Sequence, residues 1–112
     1  MPYVHLYTDQ TPDHESLGTL RRDILADLAQ HLSKPPARCM IHIDAGQNIF
    51  LGNSAECAFV EVRVRGPLDA AKSEAFVTAI KRDVAHGLNL MTTRVYLHLM
   101  EIRDSGILGA VY

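Results

Sequence analysis

Sliding this chain against itself by about 56 residues, half its length, superimposes its two halves, and a repeat of that kind restricts the fold more than any single motif does. Val4 falls on Val60, Ile24 on Ile80, Asp27 on Asp83, Leu32 on Leu88, Arg38 on Arg94 and His42 on His98. Conservative matches keep the same register, with Tyr3 on Phe59, Leu6 on Val62, Leu20 on Phe76 and Ile41 on Leu97. The densest stretch is Arg38-Cys39-Met40-Ile41-His42-Ile43 against Arg94-Val95-Tyr96-Leu97-His98-Leu99. The chain of 112 residues is one domain of ordinary size. Its pseudo-repeats are residues about 1–56 and 57–112.

Each half reads strand, helix, strand. Tyr3 to Thr8 and Ala58 to Arg65 alternate with period two and are rich in β-branched and aromatic residues. Leu17, Leu20, Ile24 and Leu28 recur at helical spacing, as do Phe76, Ile80 and Val84. Asp13 and Asp69 stand upstream as N-terminal caps, while Lys34-Pro35-Pro36 and Gly87 mark the exits. Strands return at Cys39–Asp44 and Arg94–Met100. A strand joined through a helix to a second strand makes a right-handed parallel unit. Two such β-α-β units predict an α/β (α+β) fold with one four-stranded mixed sheet and two helices on one face.

Alternation also describes the other face of that sheet. Val4, Leu6, Ile41, Ile43, Val60, Val62, Val64, Val95, Leu97 and Leu99 share the parity that belongs under the helices. The opposite parity holds Tyr3, His5, Tyr7, Met40, His42, Phe59, Glu61, Arg63, Arg65, Tyr96 and His98. A face that mixes aromatics with His, Arg and Glu suits a partly wet subunit interface, so a symmetric oligomer is expected.

Met1 is followed directly by Pro2. Methionine aminopeptidases remove Met ahead of a small residue, which would leave a free prolyl amine; a chain that keeps Met1 has none. An α-amino group titrates near ~8, and desolvation or nearby cations lower that value. A secondary amine poised near neutrality is a candidate general base. In a parallel unit Lys34, just before the second strand, lies at the same sheet end as Pro2. If the second unit runs antiparallel to the first, the third strand ends there too and brings Arg65. Tyr96 and His98 begin the fourth strand at the far end, so they would join the site only from a neighbouring subunit.

A net charge of −2 gives no footprint for nucleic acid. No apolar run approaches the ~18 residues needed to span a bilayer, and the start lacks a basic n-region and a long apolar segment. A cytoplasmic protein without membrane contact is expected. Cys39 and Cys57 stand alone, with no C-x-x-C, and are expected as two buried thiols in a reducing compartment. His5, His42 and His98 have neither helical nor short-loop ligand spacing, so no metal site is expected.

Met1-Pro2, Lys34-Pro35-Pro36, the Phe50-Leu51-Gly52-Asn53-Ser54 turn, Cys57-Ala58 and Arg94-Val95-Tyr96 together, in order and spacing, resemble the macrophage migration inhibitory factor branch of the tautomerase superfamily over nearly the whole chain. The resemblance implies the tautomerase fold and a homotrimer whose three sheets wrap a central channel, with an active site at each subunit boundary. It implies keto–enol tautomerisation of phenylpyruvate-like 2-oxo acids. By position it puts the base on Pro2 and the carboxylate-binding lysine on Lys34. It puts the strand-end residue whose backbone contacts substrate on Arg65, the cross-subunit tyrosine on Tyr96 and its asparagine companion on His98. Tyr3 and Ile107 complete the expected substrate-binding set. Ile107, with Tyr112, walls the pocket where the family's tryptophan position reads Gly109.

The departures bear on specificity. Arg65 adds a cation where the family is typically apolar, and His98 replaces an amide. Val60 stands in place of a second cysteine after Cys57, so thiol–disulfide activity is not carried over. In the implied reaction a neutral Pro2 removes a proton α to a carbonyl and returns it at the enol position. Lys34 and Arg65 hold the carboxylate and offset the developing charge. That chemistry needs no metal or organic cofactor.

Two other readings compete. Arg63-x-Arg65 resembles the arginine pair of relatives that use a prolinium acid to hydrate 3-haloacrylates or decarboxylate a semialdehyde, although no water-activating carboxylate is apparent. The other is a non-catalytic signalling or binding protein. Lys34 also reads as a solvated lysine at a helix exit, and Arg63 as an ion-pair partner of Glu61. The Ile49-Phe50-Leu51 run is expected against a neighbour's sheet edge.

Overall fold

The computed structural model describes residues 2–103 and the short C-terminal strands Gly106–Ile107 and Ala110–Val111. Strand β1 (Tyr3–Thr8) leads into helix α1 (His14–Leu32) and strand β2 (Met40–Asp44). Strand β3 (Ala58–Arg65), helix α2 (Ala70–Leu88) and strand β4 (Val95–Ile102) repeat the unit. Strands β5 (Gly106–Ile107) and β6 (Ala110–Val111) pair antiparallel with each other.

The main sheet has the order β2-β1-β3-β4. Pairs β1/β2 and β3/β4 are parallel, and β1/β3 is antiparallel. This is the mixed four-stranded sheet that the two β-α-β units predict. Both helices begin on the expected caps: Asp13 Oδ1 accepts from the Ser16 N–H at 2.8 Å, and Asp69 Oδ2 from the Lys72 N–H at 2.9 Å. These side chains satisfy backbone donors that a first helical turn leaves without partners. The repeat is kept in fine detail, since each half also ends its helix on a left-handed residue, Ser33 or Asn89, and adds one 3-10 turn, Pro36–Arg38 or Thr92–Arg94.

The core lies between the helices and one sheet face. Val4, Leu6, Val60, Val62 and Val64 are fully buried against Leu20, Ile24, Leu28, Phe76, Ile80 and Val84, while Ile41, Ile43, Leu97 and Leu99 pack at its margins. The parity assigned from sequence therefore holds on all four strands.

Three details differ from expectation. Helix α2 runs through Gly87 to Leu88, and the left-handed residue is Asn89. Gly87 serves packing instead, because a Cβ there would stand 3.2 Å from Leu20 Cδ1 on α1. Cys39 and Arg94 belong to the turns before β2 and β4. Cys57 is buried, but Cys39 is only half-buried, its thiol donating to the Pro35 carbonyl at 3.3 Å.

One buried group conflicts with its surroundings. Asp27 on α1 is 5% exposed, and its Oδ2 has no hydrogen-bond partner. Burial, then a hydrogen bond with Asp83 of α2 and its charge, push the Asp27 carboxyl up to about 8. Protonated, Asp27 donates to Asp83 instead of opposing it, so the helix pair shares a proton at neutral pH.

Candidate functional site

Strand pairing brings Pro2, Lys34 and Arg65 to one end of the sheet. Pro2 is buried, and its carbonyl accepts from the Met40 N–H at 3.0 Å, which ties it to the start of β2. Tyr3 pairs with Arg63, so the antiparallel register carries the end of β3 past Pro2. Lys34 follows the left-handed Ser33 that stops α1, and its Nζ donates to the Arg65 carbonyl at 3.2 Å. Lys34 and Arg65 line a cleft of about 200 Å³ with Pro67, Leu68, Asp69 and Lys72. Pro2 does not line it. The three cations outnumber the carboxylate of Asp69, which caps α2, so the cleft favours an anion. At Gly66, between Arg65 and Pro67, a Cβ would collide with Glu101, whose Oε1 accepts from the Leu68 N–H at 2.9 Å.

Tyr96 and His98 lie elsewhere on the same subunit. Tyr96 pairs with Phe59, which pairs with Tyr7, at the far end of the sheet from Pro2. It is 58% exposed and lines an apolar recess of about 300 Å³ with Ile49, Phe50, Leu51, Cys57 and Phe59. His98 meets the Phe59 ring edge-on at 5.0 Å. Ile107 lies in β5, but its side chain, like Gly109 and Tyr112, falls outside the described residues.

The loop behind that recess is held by Arg94, a role that sequence reasoning missed. Its guanidinium donates to the carbonyls of Glu56, Leu51, Ser54 and Ala55 at 3.1, 3.4, 3.1 and 2.9 Å. Among the described residues Ile49 to Leu51 form no strand, and Leu51 bridges to Ser54 across the turn. Burial raises the Cys57 thiol above its usual range, so this sulfur stays protonated and packs.

The open face of the sheet carries a connected polar network. Asp44 accepts from His5 Nε2 at 2.6 Å and lies 3.2 Å from His42 Nε2. The hydrogen bond from His5 holds the Asp44 carboxyl below its ordinary range against the opposing effect of burial. Tyr3 Oη stands 3.2 Å from His5 Nδ1 and 3.4 Å from His42 Nδ1, so this tyrosine faces the histidines rather than Lys34. Tyr7 donates to Glu61 at 2.9 Å, and Glu61 pairs with Arg63 at 3.2 Å, as the sequence suggests for Arg63. Spacing along the chain concealed the histidine cluster. The signal that reveals it is the parallel β1/β2 register, which makes His5 and His42 direct partners.

The family model for macrophage migration inhibitory factor (MIF) matches residues 1–111. Among solved structures, Leishmania major MIF2 superposes with a TM-score of 0.91 at 18% identity, covering 100% of this chain and 97% of that one. Macrophage migration inhibitory factor from Toxoplasma gondii gives 0.88 at 16% identity, covering 98% and 99%. A fused 4-OT described as a wild-type asymmetric trimer gives 0.86 at 16% identity, covering 96% and 94%. At such identities the likeness is one of fold. No curated protein matches the sequence at a significant level. Among the described residues, no helix is long and apolar enough to cross a membrane.

Proposed function

The chain belongs to the macrophage migration inhibitory factor family, and from that membership we propose that it is a keto–enol tautomerase of phenylpyruvate-like 2-oxo acids with Pro2 as its base. The observation that carries this reading is the Lys34 ammonium, placed by the Arg65 carbonyl at the sheet end where Pro2 is buried. With Met1 removed, the amine of Pro2 stands in a partly desolvated setting near Lys34 and Arg65. Both desolvation and like charge disfavour the prolinium form.

Substrate enters with its carboxylate toward the cations. Neutral Pro2 takes the proton α to the carbonyl, the electron pair of that C–H bond moves to form the enolate, and prolinium returns the proton to the enolate oxygen. The cations offset the charge that develops on that oxygen, which is where electrostatic catalysis acts most strongly.

A homotrimer completes the site in this reading. Tyr96 and Phe50 are 58% and 59% exposed and form an apolar shelf at the end of the sheet opposite Pro2. A neighbour's shelf, with His98 and Ile107, would cover the aromatic part of the substrate. One solved relative in fold is described as a trimer. Arg63 is engaged by Glu61 and lies over the Tyr3 ring, 5.8 Å from its centroid, so it does not stand beside Arg65 as a haloacrylate-binding pair.

The test combines intact-mass measurement with phenylpyruvate tautomerisation followed against pH. The expected result is a mass lacking Met1 and kcat/KM rising with pH as prolinium deprotonates. Retained Met1, or activity that falls over the same range, would exclude Pro2 as a neutral base.

A further inference from the structure

Outside the proposed catalytic residues, the sheet face carries a second site. We propose that His5, His42 and Asp44 bind a divalent transition cation of the zinc class. His5 and His42 are paired across β1 and β2, and Asp44 lies two residues beyond His42 on the same face. His5 Nε2 is hydrogen-bonded to the Asp44 carboxylate at 2.6 Å, and His42 Nε2 lies 3.2 Å from it. The three ligand atoms all lie within 4.8 Å of one another. A tetrahedral zinc ion holds nitrogen and oxygen ligands at about 2.0–2.2 Å, which sets them roughly 3.3–3.5 Å apart. Small side-chain rotations separate His5 from Asp44 enough to admit the ion. Imidazole and carboxylate donors suit such cations, and three protein ligands leave the fourth position to solvent.

Tyr3 supplies a second and separate argument. Its hydroxyl stands beside both Nδ1 atoms, at 3.2 and 3.4 Å. With neutral imidazoles and no cation, the Nε2–H of His5 donates to Asp44, so His5 Nδ1 is an acceptor and takes the tyrosine hydrogen. When the cation takes the Nε2 lone pairs, each Nδ1 carries a hydrogen and both donate to the two lone pairs of Tyr3 Oη. An outer partner that fixes the ligand tautomer is what metal-binding histidines ordinarily have. The histidine rings also stack, with centroids 4.2 Å apart, and Tyr7 stacks on the other side of His5 at 3.9 Å.

The experiment uses the full chain stripped with chelator and then loaded with Zn²⁺ alone or Co²⁺ alone. Calorimetry is expected to give one Zn²⁺ per chain, and Co²⁺ to give the intense visible bands of a four-coordinate N/O site. His42→Ala, at a half-exposed position that should tolerate truncation, is expected to weaken binding more than about a hundredfold, beyond the range of outer-partner losses. Tyr3→Phe is expected to weaken it by roughly tenfold. Circular dichroism checks that both variants are folded. Substoichiometric uptake by the wild type, or equal binding by His42→Ala, overturns the proposal. Binding lost on N-terminal acetylation but kept in His42→Ala assigns the ion to the terminal amine and overturns it as well.

Discussion

The ammonium of Lys34 is held by the carbonyl oxygen of Arg65, 3.2 Å away, so the backbone of β3 sets where this cation stands. Replacing the Arg65 side chain leaves that carbonyl in place. Arg65→Ile therefore isolates what the guanidinium itself adds to carboxylate binding. A charged hydrogen-bonded contact is worth about 1.5–3 kcal/mol, so KM for phenylpyruvate is expected to rise roughly ten- to a hundredfold. Ketones without a carboxylate should be almost unaffected. An unchanged KM would leave only the backbone of Arg65 in the site.

Pro2→Gly should act on the other kinetic constant. It exchanges a secondary amine for a primary one and removes the ring that fits the buried terminus. Steady-state assays should show kcat falling for substrates with and without a carboxylate, with a smaller change in KM. A variant that loses only substrate affinity would show that the base does not need the secondary amine of proline.

The buried Asp27 makes stability depend on pH in a definite direction. Its carboxyl is raised to about 8 from an ordinary 3.8, so the folded chain keeps a proton that the unfolded chain has already released. Stability is therefore greatest below the ordinary value and falls as pH rises toward 8. Asp27→Asn stays neutral and can still donate to Asp83. Its melting temperature should match the wild type near pH ~4 and exceed it by at least about 4 °C near pH ~9, the shift produced by roughly 1 kcal/mol in a domain of this size. Parallel melting curves across that range would show that Asp27 does not hold the shared proton.

Arg94→Lys tests whether the fork of hydrogen bonds, rather than charge alone, holds the loop before β3. An ammonium cannot reach the carbonyls of Leu51, Ser54, Ala55 and Glu56 together. Faster amide exchange is expected through residues 51–56, with a loss of about 1–2 kcal/mol in stability after allowance for solvent exposure. Exchange equal to that of the wild type would assign the loop's order to its own turn.

Periodicity and caps made the architecture legible because they are local. Asp13 and Asp69 announce helices a few residues later, and alternation from Val4 to Leu99 assigns both sheet faces. Pro2, Lys34 and Arg65 could be brought together from chain direction alone, because strand ends are fixed by topology. What escaped the sequence was lateral. In the sequence Arg94 stands out as half of a repeat and not as the clamp of a preceding loop, since four backbone carbonyls leave no mark on side-chain pattern. His5 and Asp44 are far apart along the chain, and only the β1/β2 register makes them neighbours. Gly87 looked like a helix stop, although what demanded it was the approach of Leu20 from another helix.

A chain that repeats itself across an internal axis must confront each residue near that axis with its own counterpart. Oily residues gain from the encounter, but equal charges do not. Asp27 and Asp83 are one repeat apart and meet between the two helices. Here the conflict is met by a proton kept on Asp27, while Asp83 pairs with Arg82 at 3.4 Å. Two positions that are interchangeable on paper are thereby chemically distinct: the same substitution should relieve the fold at Asp27 and deprive it of its proton acceptor at Asp83.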